Sequence, residues 1–428
     1  MQLRLPKKIQ DGIFYDSLPQ FKRYGNHSFA ILFFRVLGGF DSKQVIFSLK
    51  KIWNLYGVLK KGHLGDIPNC RVPAGDISVL MGYGPEIFKI PGVKKIIPRD
   101  FEGKQFQPAI IGRPILQGCG INYSDKNAEN LGTSEHITIQ IVSKTQLATY
   151  RAIVETWKLL DPIDNDNICL QLTKFYTGFQ RDDDRSWLGF HDEVSNLRDT
   201  KERKDVISIN RQSNRLKPDD FWTENGTYMA FLRTEIHLDV WNRISRTNQE
   251  LIVGRHKSSG SPIVGIDKKG KPIIFGNFRN HKPSEYYDSK FHEHPDYLSR
   301  SWSSNKTRAT DIESSRNILS QSHIGRTRHI SDVSVKDPTS RRIYRQGFEF
   351  VDPPPNGLKS YRAGLNFISF QNDPNRLFFI LTDPRWMGRA NFGGSPELIR
   401  HNILSVISAG MFFVPAKEKP FPGASIFS

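Results

Sequence analysis

The stretch His136–Phe175 reads H-I-T-I-Q-I-V-S, then K-T-Q-L-A-T-Y-R-A-I-V-E-T-W-K-L-L, then D-P-I-D-N-D-N, then I-C-L-Q-L-T-K-F. From His136 to Ser143 apolar and polar residues alternate, the period of a half-buried strand, whereas Thr145–Leu160 carries its apolar residues at helical spacing. Ile168–Phe175 returns to strand. The same grammar stands earlier in the chain. Ser28–Val36 (S-F-A-I-L-F-F-R-V) reads as a buried strand and Ser42–Tyr56 as a helix with Val45, Ile46, Leu49, Ile52 and Trp53 at helical spacing. Asp76–Tyr83 then reads as a second strand. Two such β-α-β units in series make the split β-α-β, or ferredoxin-like, arrangement: a mostly antiparallel sheet with helices on one face.

The second half repeats the pattern less cleanly. Thr227–Thr234, Arg341–Phe350, Gly364–Gln371 and Gly410–Pro415 read as strands and His237–Leu251 as a helix. An α+β chain of two ferredoxin-like halves joined near residue 215 is therefore expected, with domains over 1–215 and 216–428. Between them the halves account for a chain of 428 residues, long enough to bury a sizeable cofactor.

Composition narrows the function classes. Three cysteines, Cys70, Cys119 and Cys169, lie far apart without a C-x-x-C pair, which argues against a disulfide framework and a thiolate zinc site. The first ten residues lack the apolar core of a secretory signal and a twin-arginine pair, and no apolar run approaches a membrane span. A cytoplasmic protein without membrane attachment is expected. The formal charge of +17 favours anionic partners. Yet the basic residues are spread from Lys7 to Lys419 and the aromatics fall in apolar strands, which speaks against a dedicated nucleic-acid surface.

Two stretches carry chemistry. Leu188–Leu197 (L-G-F-H-D-E-V-S-N-L) follows a charged loop and sets Asp192 among apolar residues; read alone, Asp192 is also a candidate helix cap. Gln321–Phe350 begins Q-S-H-I-G-R-T-R-H-I and ends R-R-I-Y-R-Q-G-F-E-F, a histidine followed by arginines and then an alternating strand. On that strand Arg341, Ile343 and Arg345 share one face and Arg342 points away. The preceding segment, Gly276–Ser322, is poor in aliphatic residues and reads as a covering loop or partly disordered chain. Its His292 and His294 form an H-x-H pair with no third ligand in view.

The order of these pieces resembles the dye-decolourising peroxidases over nearly the full length. His323 with the R-Q-G strand and Gly364–Gln371 resembles the haem-binding half of that family. Gly189 and Asp192, continued by Ser195 and Asn196, resemble its G-x-x-D-G signature, with Glu193 in place of the last glycine. Ile9–Ile13, Asp76–Phe88, Gly226–Arg233, Ile252–Pro262 and Gly410–Ala424 match further family segments in order.

The resemblance implies the dimeric α+β barrel type of fold with haem b in the C-terminal half. It implies a peroxidase that uses hydrogen peroxide to oxidise dyes, phenolic or other aromatic reductants through a high-valent iron-oxo intermediate. His323 is the implied iron ligand, with His329 the fallback. Asp192 is implied as the base that moves the peroxide proton, and Arg345 as the cation beside it, with Arg341 its substitute. Arg326, Arg345 and Phe367 are the remaining cofactor contacts; Asp383 and Glu397 both stand open as carboxylate partner of His323. Tyr344, Tyr361 and Trp386 are candidate electron relays, although core packing explains each of them as well. A haem-handling protein of the same superfamily and a basic nucleic-acid-binding protein are the alternatives, and a homo-oligomer stays open.

Overall fold

The computed structural model describes residues 8–17, 27–64, 67, 71–98, 135–161, 168–183, 185–191, 196–197, 200–212, 214–261, 263–266, 271–274, 322–327, 341–354, 361–381 and 403–428. In the first half β1 (Ser28–Val36), α1 (Ser42–Leu59), β2 (Ser78–Tyr83), β3 (Ile137–Ser143), α2 (Gln146–Leu159) and β4 (Leu170–Phe179) follow one another. Local chemistry sets the helix starts. Asp41 accepts from the backbone N–H of Lys43 and Gln44 while the Gln44 side chain accepts from Asp41 N, a capping box; Thr145 Oγ1 caps α2 through Ala148 N.

After α3 (Thr200–Ile207) come β5 (Thr227–Ile236), α4 (Leu238–Asn242), α5 (Arg246–Val253), β6 (Ile263–Ile266), β7 (Pro272–Ile274) and α6 (His323–Arg326). The chain closes with β8 (Tyr344–Asp352), β9 (Arg362–Gln371), α7 (Asn375–Leu381) and β10 (Leu404–Val414). The single helix expected over His237–Leu251 is two: the chain breaks after Asn242, and Ser245 starts α5 afresh by accepting from Asn248 N. The small hairpin β6–β7 is a second departure from the sequence reading. The expected covering segment Gly276–Ser322 lies outside the described residues apart from Ser322.

All main strands join one closed barrel in the order β1-β3-β2-β10-β5-β9-β8-β4, every pair antiparallel. Within it β4-β1-β3-β2 and β10-β5-β9-β8 have the same order, fourth-first-third-second, which is the ferredoxin-like sheet written twice. The seams are β2 against β10, where Tyr83 meets Phe413, and β4 against β8, where Phe179 meets Glu349.

Strand alternation sorts the residues onto two faces. Phe29, Ile31 and Phe33 of β1 point into the barrel with Met229, Phe231, Tyr344, Phe348, Ile368, Phe370 and Phe412. The Phe29 and Phe348 rings stack with centroids 4.3 Å apart, and Phe33 sits 5.6 Å from Phe231. An eight-stranded barrel is just wide enough to be filled this way, so its interior is core and not a channel. Ala30, Leu32 and Phe34 point outward, beneath Leu49, Ile52 and Tyr56 of α1 and Ala148, Ala152 and Ile153 of α2. On the C-terminal half the same parity turns Arg345, Gly347 and Glu349 of β8, with Phe367 and Ser369 of β9, to the outer face. There Arg345 pairs with Ser369 and Gly347 with Phe367.

Truncating the stacked pair tests this packing. Phe348→Ala is expected to destabilise by about 3–5 kcal/mol, the cost of emptying a close-packed aromatic site, read as a lower denaturant midpoint. A loss below about 0.5 kcal/mol would mean that the barrel interior is not packed as described.

Candidate functional site

The site is built where a loop of the N-terminal half lies along β8. Leu188 and Phe190 are buried with Ile236, Trp241, Ile252 and Val253, and Trp241 Nε1 donates to Leu188 O at 3.1 Å. Between them Gly189 turns with φ +83°, and a Cβ there would stand 2.5 Å from Lys257 Cε. Only glycine meets both conditions without strain. Arg185 fixes the turn from inside: Nη1 donates to Gly189 O (2.7 Å) and Lys257 O (2.8 Å), and Nη2 donates to His191 Nε2 (2.8 Å). Because guanidinium can only donate, His191 Nε2 must accept, so this imidazole is neutral with its proton on Nδ1. Burial first, and then the Arg185 charge, hold His191 below the usual histidine range in agreement with that tautomer.

The loop is tied to β8 at two points. Trp187 N donates to Glu349 Oε1 at 3.3 Å and Trp187 Nε1 to Phe350 O at 3.2 Å. Further along, Asn196 Nδ2 donates to Arg345 O at 2.7 Å while Arg345 N donates to Asn196 Oδ1 at 3.0 Å. The amide of Asn196 thus stands in for a neighbouring strand. Asp192 itself lies outside the described residues, as do Glu193 and Ser195; its chain neighbours on both sides are anchored to the strand that carries Arg345.

His323 opens α6 beside the end of α5. Gly254 closes α5 with φ +83°, and a Cβ on it would come within 2.6 Å of Ser322 Oγ and Ile324 Cγ1, so the segment that carries His323 packs directly on that turn. Ser322 and Ile324 are buried, His323 is partly exposed, and its Nδ1 is closed off from solvent. The next residue, Arg255, is buried and donates through Nη1 to Gly260 O at 2.7 Å. Burial, followed by the charge of Arg345, pushes the Arg255 pKa down to about 10. Ser369, the register partner of Arg345, has a buried Oγ with no hydrogen-bond partner among the described residues.

Arg345 and Phe367 therefore share the outer face of the C-terminal sheet, the charge of Arg345 reaches Arg255, and the His323 segment packs on the preceding residue, Gly254. The Arg326 side chain, His329, His292, His294, Asp383, Glu397 and Trp386 lie outside the described residues. Tyr344 is a barrel-core residue beneath the Arg203 guanidinium, 4.7 Å from its ring, which matches the packing alternative; Tyr361 is exposed. Asn196, Arg255 and Arg185 were given no role in the sequence reading. Asn196 had a signal, its place in the D-x-x-S-N continuation, and Arg255 lay in the matched segment Ile252–Pro262, but nothing in the sequence marked it as buried.

Residues 183–419 match the family described as Dyp-type peroxidase, C-terminal. Among solved structures the chain is similar to a DyP-type peroxidase from Cellulomonas bogoriensis (16% identity, 96% of each chain covered, TM-score 0.62). Ferric DtpA from Streptomyces lividans is similar at 17% identity, with 96% of this chain and 94% of that one covered and a TM-score of 0.62. A variant of Rhodococcus jostii DypB in complex with heme aligns at 16% identity over 91% of this chain and 93% of that one, with a TM-score of 0.55.

The clamp on β8 is testable without any ligand. Asn196→Leu leaves the buried N–H and C=O of Arg345 unsatisfied and is expected to cost about 1–3 kcal/mol, with faster hydrogen exchange at the Arg345 amide. Unchanged protection of that amide would mean that the loop is not held by Asn196.

Proposed function

Since the chain belongs to the DyP-type peroxidase family, oxidoreductases acting on peroxide, we propose that it binds one haem b on the outer face of its C-terminal sheet. In this reading it reduces hydrogen peroxide there at the expense of dyes, phenols or other aromatic donors. The observation that carries the reading is the donor set around the Gly254 turn. A partly buried imidazole, His323, opens the segment packed on the Gly254 turn, and the buried Arg255 follows that turn under the charge of Arg345. A porphyrin with two carboxylates and a metal wanting one nitrogen ligand fits a site that offers cations and an imidazole. The domain division proposed with it gives Asp192 to residues 1–215 and the haem-binding surface to residues 216–428.

His323 would hold the iron through Nε2. Arg255 and Arg326 would neutralise the carboxylates, and Phe367 would pack against the ring. When bound, the haem supplies an iron that exchanges electrons with peroxide. The chain's own residues do the rest. Asp192, ionised at the working pH, takes a proton from the near oxygen of hydrogen peroxide and returns it to the far one, so that water can leave. Arg345 stands as a fixed positive charge for the negative charge that develops as the O–O bond breaks. The Asn196 clamp and the Trp187 contacts hold the loop, at Trp187 before Asp192 and at Asn196 after it, to the strand that carries Arg345.

A carboxylate base has a consequence for pH. An aspartate titrating near its ordinary value of about 3.9 remains ionised into mildly acid solution, so peroxide-dependent oxidation is expected to peak below pH 7. Asp192→Asn should lower kcat/KM for peroxide by about 10²–10⁴, and Arg345→Leu should lower it without moving the optimum. A profile peaking above pH 7, or an Asp192→Asn variant as fast as the parent, contradicts the assignment. A haem carrier would show negligible turnover in the parent too.

A further inference from the structure

The turn around Gly189 borders a second feature, a cavity of about 420 Å3 lined by Arg185, Gly189, Arg246, Lys257 and Ser258. Three cations face it and one carboxylate opposes them. Glu250, bonded to two of the lining residues, accepts from Arg246 Nε at 3.1 Å and from the backbone N–H of Lys257 at 3.0 Å. Among the described residues Asp183 also reaches Arg185, through its backbone N–H, and its carboxylate is paired with Arg181. His191 and His256 flank the cavity and are held below the usual histidine range, burial being the first cause for both, so neither adds charge near neutral pH. Among the described residues, three lining cations against Glu250 leave an excess of about two positive charges at neutral pH, by the ordinary ionisation of these groups.

Its donors are only partly spent. Arg185 uses Nη1 and Nη2 on the carbonyls of Gly189, Lys257 and Ser258 and on His191, and Nε takes none of these acceptors. Arg246 gives Nε to Glu250 and Nη2 to Ser258 Oγ at 2.7 Å, which leaves Nη1. Lys257 Nζ gives one proton to Gln249 Oε1 at 2.6 Å and lies over the Phe190 and Trp241 rings. Burial, and then the charge of Arg246, draw its pKa down, Glu250 opposing. An anion in the cavity would take up the spare donors and relieve the repulsion among the cations. The volume is that of a small-molecule site and exceeds what a lone inorganic ion fills. No exposed aromatic face lines it, so recognition rests on charge.

We propose that this cavity is a binding site for a small dianionic molecule, a phosphate monoester or a dicarboxylate, held by Arg246, Lys257 and the free edge of Arg185. None of its lining residues is among those assigned above to haem or peroxide. Because Arg185 also holds Gly189 and His191, an occupied site would brace the turn that leads to Asp192.

The test is isothermal titration of the full-length protein at fixed ionic strength with glycerol 3-phosphate, succinate and, as a control, additional chloride. Saturable 1:1 binding of either dianion, weakened about tenfold or more in Arg246→Gln and Lys257→Gln, is the expected result. Which of the two binds more tightly separates phosphate from carboxylate recognition. Glu250→Gln, which removes the opposing charge, should tighten binding. Arg246 is an exposed residue whose replacement puts little at risk in folding, and Arg211→Gln, at a distant surface pair with Glu224, controls for lost net charge. Absence of saturation with both dianions overturns the proposal. So does equal weakening in Arg211→Gln, or binding in Arg246→Gln and Lys257→Gln that matches the parent.

Discussion

Two hydrogen bonds between the Asn196 side chain and the backbone of Arg345 join the halves of this molecule at the point where its chemistry is proposed to occur. A strand that carries functional residues on its outer face needs its edge groups satisfied, and at Arg345 a side-chain amide from the other half supplies both a donor and an acceptor. Breaking that contact leaves two polar groups stranded, which costs more than forming it gains, so it acts as a register mark more than as glue. The Trp187 contacts to Glu349 and Phe350 repeat the arrangement further along β8.

The barrel makes this possible. Filling the interior with stacked aromatics, Phe29 on Phe348 and Tyr176 on Phe231, commits one face of every strand to packing and leaves the other face for cover or for function. In the N-terminal half the outer face goes to α1 and α2. In the C-terminal half β8 and β9 keep Arg345, Phe367 and Ser369 there, and α5 brings the buried Arg255 toward them. Duplicated topology thus offers two outer faces, one packed under α1 and α2 and the other the face on which the cofactor is proposed to lie.

Much of the fold was legible because it is local. β1 and α1 start where the sequence patterns place them, and the alternation of Ile137, Ile139 and Ile141 marks β3 by itself. The seams Tyr83–Phe413 and Phe179–Glu349 were not legible, since pairings hundreds of residues apart leave no period to read. The helix over His237–Leu251 was misjudged because Leu238, Trp241 and Leu251 keep an apolar face across a break that Ser245, a capping residue, in fact marks. For the site, the D-x-x-S-N run marked the loop, whereas β8 starts only at Tyr344, so the strand parity expected from Arg341 onward does not reach Arg341 and Arg342. Arg255 was missed because burial is a property of the folded chain; its effect on a neighbour's charge exists only once α5 and β8 meet.

Central to the account is a single imidazole at His323 holding an iron porphyrin on a surface made cationic by Arg255 and Arg345. The direct measurement is haem titration of the purified chain followed by its Soret absorption, compared with His323→Ala. The account predicts one haem per chain with the spectrum of histidine-ligated iron, and weakened binding with an altered spectrum in the variant. A variant that binds with unchanged affinity and an unchanged spectrum, or a parent chain that takes up no haem, would contradict it.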